Sequence, residues 1–519
     1  MKAYLLHSQK DFELERQLPP NEQALVQDLG LQVLFDTMAG GDEFLLGVAR
    51  TVVLSGLKDS TEIVYRQHVL EDCTAQAPLV KEIYDIAVAA IDGERKAWRF
   101  YSQNVDLTPS TAVQVLQLFV VLLQQLRRVA DEHAAQFTSE GFTTFFEMLR
   151  SELDDAYFGT LDEHLRLLRF RQGVPISARL GKRNTGTDFV LRKPGPRKWS
   201  WRQWLPSQER SAYTIVIAPR DDAGAQALTD FRGRGINLVA NALAQSTDHI
   251  LSFFRMVRFE LGFYLGCLNL RAQLTAKGEP VCFPVPTPRA AAVLSCHGLY
   301  DVGLSLRMPE RAVGNDIAAE GRSLVVITGA NQGGKSTFLR SVGLAQLMMQ
   351  SGMFVGAEEF RADVRDAIFT HFKREEDTTM ISGKLDEELK RMSEIADQLT
   401  PSSLVLFNES FAATNEREGA EIAETIVQAL LGAATKVFYV THSFELAHRL
   451  YRQHMGTALF LRAERRPDGG RTFRQLEGEP LPTSYGEDLY LEVFAEDLVR
   501  DSRPGPSGRP GREELSGRA

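Results

Sequence analysis

Cysteine is scarce: the chain has four in 519 residues, Cys73, Cys267, Cys282 and Cys296. No two stand at C-x-x-C spacing, which removes the zinc and redox motifs built on that spacing. Free core thiols in a reducing cytoplasm are the expectation. No signal peptide follows Met1. Long apolar runs are missing as well. The most apolar helical stretch, 113–126, is broken by Gln114, Gln117, Gln124 and Gln125, so it reads as a buried helix and no membrane partner is expected. No period of 20–50 residues repeats, which excludes a solenoid. Positive charge is in deficit, with 59 Lys and Arg against 68 Asp and Glu and a formal net charge of −9. That balance argues against indiscriminate nucleic-acid binding and leaves a local basic patch open.

What is present is ordinary for a globular chain, with 44% hydrophobic and 24% charged residues and enough length for at least two cores. After Pro19–Pro20 the pattern turns helical: Leu25, Val26, Leu29 and Val33 recur at spacings of three and four. Gly40–Gly41 breaks the run. Further helices are expected around 61–72, 78–91, 110–135 and 139–170. The texture changes at 173–235, where Pro and Gly become frequent and short β-type runs appear at 188–191 and 214–217. Between Arg179 and Trp204, eight Lys or Arg face the single acid Asp188: Arg179, Lys182, Arg183, Arg192, Lys193, Arg197, Lys198 and Arg202. Trp199, Trp201 and Trp204 lie among them. Two readings stand: a surface that holds phosphates and stacks on bases, or a solvated β-rich segment whose tryptophans pack inward. One long helix is expected over 236–274, either as a core helix or as a lever between domains. A Pro-rich connector at 279–298 follows, and then strands alternate with helices. The last 19 residues, 501–519, are rich in Gly, Pro, Ser and Arg and are expected to be disordered.

The chemistry concentrates at 327–340, ITGANQGGKSTFLR. An apolar run at 324–327 leads into Gly329-x-x-x-x-Gly334–Lys335–Ser336, and a helical pattern follows through Gln350. Strand, glycine loop and helix are the context of a phosphate-binding P-loop. The glycines let backbone N–H groups turn onto phosphate oxygens at a helix N-terminus. Lys335 offers a point charge to the β- and γ-phosphates of ATP, and the Ser336 hydroxyl can ligate Mg²⁺. Downstream, 403–407 reads as a buried strand ending at Asn408–Glu409–Ser410. The amide of Asn408 can accept from a metal-bound water without adding charge. Glu409 is the carboxylate left to orient or deprotonate an attacking water. A further strand, 436–440, ends at Thr441–His442, where a polar side chain can reach a γ-phosphate.

In that order these pieces resemble the MutS family, the ATPases of DNA mismatch repair, over about 297–490. TGANQGGKSTFLR is similar to the family's P-loop, in which an Asn at the position of Asn331 is typical. FTHFKREEDTTMISGKLDEELKRM resembles the segment carrying the family's signature loop, with Ser382–Gly383 at the matching place. LVLFNESFAATNEREG resembles its Walker B strand and following loop, including Glu409, Thr414 and Gly419. VTHSFEL matches the family's switch histidine at His442, and Thr483–Ser484–Tyr485–Gly486 resembles its Ser-Tyr-Gly element. The stretches 27–45 and 258–270 are similar, more weakly, to the family's helical lever and clamp.

The resemblance implies a multidomain fold. A mostly α-helical core/lever region would occupy 1–298, with the basic β-rich insertion near 173–235. An α/β, ABC-like P-loop ATPase domain would occupy 299–498, followed by a disordered tail at 499–519. It implies a homodimer in which each ATP site takes Gly329, Asn331, Gly333, Gly334, Lys335, Ser336 and Thr337 from one subunit and Ser382 from the other. Glu409 and His442 would be catalytic, and Ser336, Asn408 (through water) and Glu409 would serve Mg²⁺. The expected partners are duplex, mismatched or branched DNA, gripped with help from Lys182, Arg183, Arg192, Lys193, Arg197 and Lys198, and downstream repair proteins. The expected place is the cytoplasm, at the nucleoid when DNA is bound. Asn408 stands where most of the family has Asp, which implies slow turnover. Lys384 to Glu388 replace the family's short Ser/Thr-Phe run. No N-terminal mismatch-reading domain is recognised, and Phe145–Phe146–Glu147, which fits the family's wedge by letters, reads as core packing. The alternatives are a nucleotide-gated DNA-binding scaffold with little hydrolysis, or an ABC-type ATPase acting on RNA or protein.

Overall fold

The computed structural model describes residues 1–101, 108–168, 175–180, 182, 186–192, 216–218, 221–289, 292–374, 383–466 and 470–481. The helices in chain order are α1 (Glu22–Leu29), α2 (Leu31–Ala39), α3 (Glu43–Leu54), α4 (Ser60–Ala75), α5 (Ala77–Tyr101), α6 (Thr108–His133), α7 (Glu140–Glu152), α8 (Asp155–Leu168), α9 (Asp222–Ala276), α10 (Val302–Arg307), α11 (Lys335–Gln350), α12 (Lys384–Ala396), α13 (Glu416–Gly432) and α14 (Phe444–Arg452). The strands are β1 (Ile176–Leu180), β2 (Gly186–Leu191), β3 (Val285–Thr287), β4 (Leu294–Leu299), β5 (Asn315–Ala318), β6 (Leu324–Thr328), β7 (Glu359–Asp363), β8 (Ile368–Phe372), β9 (Leu404–Asn408), β10 (Lys436–Val440), β11 (Ala458–Arg465) and β12 (Arg471–Glu477).

The chain divides into two compact units. The first takes Met1–Gln17, Thr37–Val52 and Thr61–Leu270; the second takes Leu18–Asp36, Val53–Ser60 and Arg271–Ala519. A dividing line at 298 therefore falls inside the second unit, which also draws in two short pieces from the N-terminal region.

Among its described residues the first unit is mostly helical, with the β1–β2 hairpin and the non-helical N-terminal segment as the exceptions. On α6 the apolar run becomes core: Val115, Leu116, Phe119, Leu123 and Leu126 are buried, and Phe119 meets Phe254 of α9 at 5.6 Å. Phe145 and Phe146 are each 1% exposed on α7. Phe145 faces Phe253 at 6.4 Å and Phe146 faces Phe137 at 5.1 Å, so both phenylalanines are core, as their helical spacing suggests, while Glu147 is exposed. The pattern read as one helix over 139–170 is two. It breaks because Asp154 turns its carboxylate onto the Tyr157 N–H at 2.7 Å and starts α8 anew. α9 is 55 residues long, about 80 Å at 1.5 Å per residue. It begins at Asp222 and not at 236, because Gly224, Gly233 and Gly235 read as breakers yet are tolerated within the helix. The Asp221 carboxylate accepts the Gly224 N–H at 2.9 Å at the helix start.

The N-terminal segment, which sequence reading leaves as a short mixed piece, is built into this unit. Leu5, Leu6 and Phe12 are buried. Their amides donate to the fully buried carboxylate of Glu260 on α9, at 2.7, 3.2 and 3.1 Å. The buried Arg66 of α4 donates to the Leu6 carbonyl at 2.6 Å, and Tyr264 donates to the Leu5 carbonyl at 2.5 Å. Side chains thus supply the hydrogen bonds that a neighbouring strand would otherwise provide.

The second unit is α/β. Its main sheet has the order β12-β11-β6-β10-β9-β8. β11, β6, β10, β9 and β8 run parallel, and β12 closes one edge antiparallel. Residues 324–327 of β6, 437–440 of β10 and 404–407 of β9 are continuous apolar runs buried on both faces, as parallel strands between helix layers must be. A second sheet has the order β3-β7-β4-β5. Gly343 of α11 is a contact glycine: a Cβ there would come within 2.7 Å of Leu29 and 2.8 Å of Leu406. Its absence lets α1, α11 and β9 close on one another.

Candidate nucleotide-binding site

The register of the parallel sheet sets the site. Val440 at the end of β10 pairs with Ile327 of β6 and with Asn408 of β9, so three carboxyl ends finish in one row. The crevice outside the carboxyl ends of parallel strands is where α/β folds bind ligands. The P-loop leaves β6, Asn408 and Glu409 leave β9, and Thr441–His442 leave β10.

In the loop, Gly329 has φ +114° and Gly334 has φ +84°, backbone that a side chain would strain. A Cβ on Gly333 would meet the Ala463 methyl at 2.6 Å. Gln332 also has a positive φ, +58°, and accepts from the Arg471 guanidinium at 2.6 Å. Asn331 is exposed beside it. Lys335 opens α11, and its Nζ donates to the carbonyls of Gly329 and Ala330 at 2.9 and 2.8 Å. Burial pushes its pKa down to about 8. The ammonium is thus held within the loop by two neutral acceptors, where an incoming anion would relieve its desolvation. Thr337 follows in the first turn of α11.

Ser336 and Asn408 meet: the serine hydroxyl donates to Asn408 Oδ1 at 2.8 Å. Glu409 Oε1 lies 2.6 Å from His442 Nε2, and that hydrogen bond is the chief cause holding the Glu409 carboxyl below its usual range. The turn carrying Glu409 is strained, with Glu409 at φ +56° and Phe411 at φ +61°, each costing on the order of 1–3 kcal/mol. Ser336, Glu409 and His442 line one cavity of about 320 Å³ with Tyr300, Leu304, Met308, Val313 and Phe473. Its polar end is the P-loop with Glu409 and His442, and its apolar end is formed by α10 and the residues that follow it. Among the described residues no three His, Cys, Asp or Glu side chains cluster as a metal cage requires. A cation here would rest on few protein oxygens and keep water or phosphate ligands, as Mg²⁺ does.

Several residues around the loop escape sequence reading. Gln475 of β12 donates to the Gly333 carbonyl at 3.0 Å and its own N–H reaches Asn315 Oδ1 at 2.8 Å. Asp301, 1% exposed at its side chain, pairs with Arg340 of α11 at 2.9 Å. No local motif marks these positions, because each partner arrives from a distant part of the chain. Gly419, quoted for its letter in the loop after β9, has a steric role: a Cβ there would lie 2.3 Å from the Phe411 carbonyl. Thr414 bonds the Glu418 carboxylate, and Asn415 caps α13 through the Glu418 N–H at 2.9 Å. Lys384 to Glu388 open α12, which buries Glu388, Met392 and Ile395.

Ser382 and the Ser-Tyr-Gly stretch at 484–486 lie outside the described residues, as do Arg183, Lys193, Arg197, Lys198 and the three clustered tryptophans. Of the basic candidates, Lys182 and Arg192 are described. Arg192 follows β2 and donates to Ser177 Oγ at 2.8 Å. All four cysteines are unbridged, three of them buried.

Comparison with known proteins gives two family matches. Residues 58–277 match the MutS2 N-terminal domain and residues 325–495 match MutS domain V. Among curated proteins, the chain is 26% identical over 409 residues to the endonuclease MutS2 of Streptococcus equi subsp. zooepidemicus, covering 76% of this chain and 49% of that one. It is 34% identical over 183 residues to the endonuclease MutS2 of Lacticaseibacillus casei, covering 34% of this chain and 22% of that one. It is 39% identical over 141 residues to the DNA mismatch repair protein MutS of Thermotoga petrophila, covering 27% and 18%. The matched stretch spans less than half the length of each of these relatives.

Proposed function

The chain belongs to the MutS family, and from that premise we propose that it is an ATP-dependent DNA-binding protein, a dimeric clamp gated by ATP that grips mismatched or branched DNA. The observation that carries the reading is the cavity in which the P-loop, Ser336 beside Asn408, and Glu409 beside His442 converge.

The roles proposed rest on the site's residues and, for Ser382 and the basic residues, on the family resemblance. The glycines of the loop leave room for phosphate oxygens against backbone N–H groups at the start of α11. Lys335 exchanges its two carbonyl partners for phosphate oxygens. Ser336, and Asn408 through water, would hold Mg²⁺, which would neutralise phosphate charge. Glu409 orients the attacking water and accepts its proton, and His442 holds the Glu409 carboxylate in place until a γ-phosphate competes for the imidazole. The apolar end of the cavity takes the base. Ser382 completes the partner's site, and Lys182, Arg183, Arg192, Lys193, Arg197 and Lys198 contact DNA phosphates.

A second reading, a nucleotide-gated scaffold with little hydrolysis, is favoured by one observation. Asn408 puts a neutral amide against Ser336, where an acid would strengthen the hold on Mg²⁺. Steady-state ATP turnover separates the two. The ATPase reading predicts a rate well above that of Lys335→Ala, and a loss on the order of 100-fold or more in Glu409→Ala with ATP still bound. A wild-type rate equal to that of Lys335→Ala makes the protein a scaffold, and an unchanged rate in Glu409→Ala removes the general-base role.

A further inference from the structure

Beneath Glu409 lies a buried histidine that the catalytic assignment does not use. His371 on β8 is fully buried, and both ring nitrogens are engaged. Nε2 lies 3.0 Å from the Glu388 carbonyl of α12, and Nδ1 lies 2.8 Å from Ser410 Oγ. The ring stacks on Phe411 at 5.1 Å between centroids and 19° between planes. Ser410 is the middle residue of the strained turn, between Glu409 and Phe411 with their positive φ values. It is gripped from a second side, since Tyr439 donates to its carbonyl at 2.9 Å.

The hydrogen count fixes the roles. A carbonyl only accepts, so Nε2 carries the proton facing Glu388. Burial, with Arg391 nearby, pushes the ring pKa down to about 4, so the imidazole is neutral and Nδ1 accepts. Ser410 then has one hydroxyl hydrogen and two acceptors in reach, Nδ1 and the His371 carbonyl at 2.5 Å. Two residues that no motif links, 39 positions apart, therefore hold the turn that aims Glu409. Through Nε2, the opposite edge of the same ring holds α12, whose N-terminus follows directly on Gly383.

We propose that His371 is a positioning residue for Glu409: it locks the Glu409–Phe411 turn and couples that turn to helix α12. A displacement of α12 shifts the Glu388 carbonyl, then the imidazole, then Ser410 and the carboxylate beside it. This role rests on the ATPase reading above.

The test is steady-state ATP turnover by the full chain with His371→Ala, Ser410→Ala, the double variant and His371→Asn, with nucleotide affinity and thermal unfolding measured alongside. The proposal predicts that each Ala variant loses about tenfold or more in kcat while KM for ATP stays within about twofold. The double variant loses no more than the worse single one, since both break one linkage. His371→Asn, which keeps an acceptor toward Ser410, recovers part of the rate. Should His371→Ala fail to fold, Ser410→Ala and His371→Asn carry the test. Full kcat in Ser410→Ala, or losses that multiply in the double variant, overturn the role. A wild-type rate no higher than that of Lys335→Ala removes the ATPase reading and this role with it, so the two failures are told apart.

Discussion

Glu409 and Phe411 hold positive φ without being glycine, and the neighbouring backbone makes that tolerable. Gly419 of α13 leaves the space that the Phe411 carbonyl occupies. A single methyl tests the arrangement. Gly419→Ala places a Cβ 2.3 Å from that carbonyl oxygen, so the turn must shift. Overpacking of this kind costs roughly 1–3 kcal/mol of stability. We expect kcat for ATP to fall about tenfold or more with nucleotide binding retained. An unchanged kcat with a lowered unfolding temperature would mean that the turn does not aim Glu409. At this scale the sequence is partly legible. The strand–loop–helix that carries Gly329, Lys335 and Ser336 is readable because its residues are consecutive. Glu409 and His442 are readable because each follows an apolar strand. Arg471, Gln475 and His371 are not, since they reach the site through tertiary contacts with no local pattern.

At the scale of elements, the N-terminal segment depends on one buried carboxylate. Burial pushes Glu260 up to about 7 from an ordinary value of 4.5, against the pull of three amides. A pKa raised on folding gives a contribution complete below about pH 4.5 and lost as pH climbs to about 7. The full span amounts to ~3 kcal/mol. Glu260→Gln removes that titration and turns one amide contact into a clash of two donors. The stability advantage of the wild type over Glu260→Gln, read from unfolding midpoints at about pH 5 and pH 7.5, is therefore expected to shrink as pH rises. An advantage that grows with pH contradicts the assignment. None of this is legible in sequence: the pairing spans some 250 positions, and an isolated Glu on a helix face reads as solvated. Helices with clear periodicity, such as α5 and α6, are legible because 3.6-residue spacing is a local property. The start of α9 is not, because glycines break isolated helices more readily than packed ones.

At the scale of the whole chain, the alternation of strand and helix in the second unit reads directly from sequence. The inclusion of Leu18–Asp36 and Val53–Ser60 in that unit does not. Helix α1 joins it through packing against α11 and β8, and amphipathic spacing says that a helix is covered without saying by what. The central claim is also set at this scale: ATP governs the grip on DNA. It is tested by equilibrium binding to a perfect duplex, the same duplex with one mismatch, and a four-way junction. Each is measured with and without ATP–Mg²⁺ at one fixed salt concentration, because phosphate contacts alone move affinity by orders of magnitude. The account predicts tighter binding to the mismatched or branched DNA than to the perfect duplex, an affinity changed about tenfold or more by ATP–Mg²⁺, and loss of that change in Lys335→Ala. Binding that is equal with and without nucleotide, or absent for all three DNAs, would contradict it.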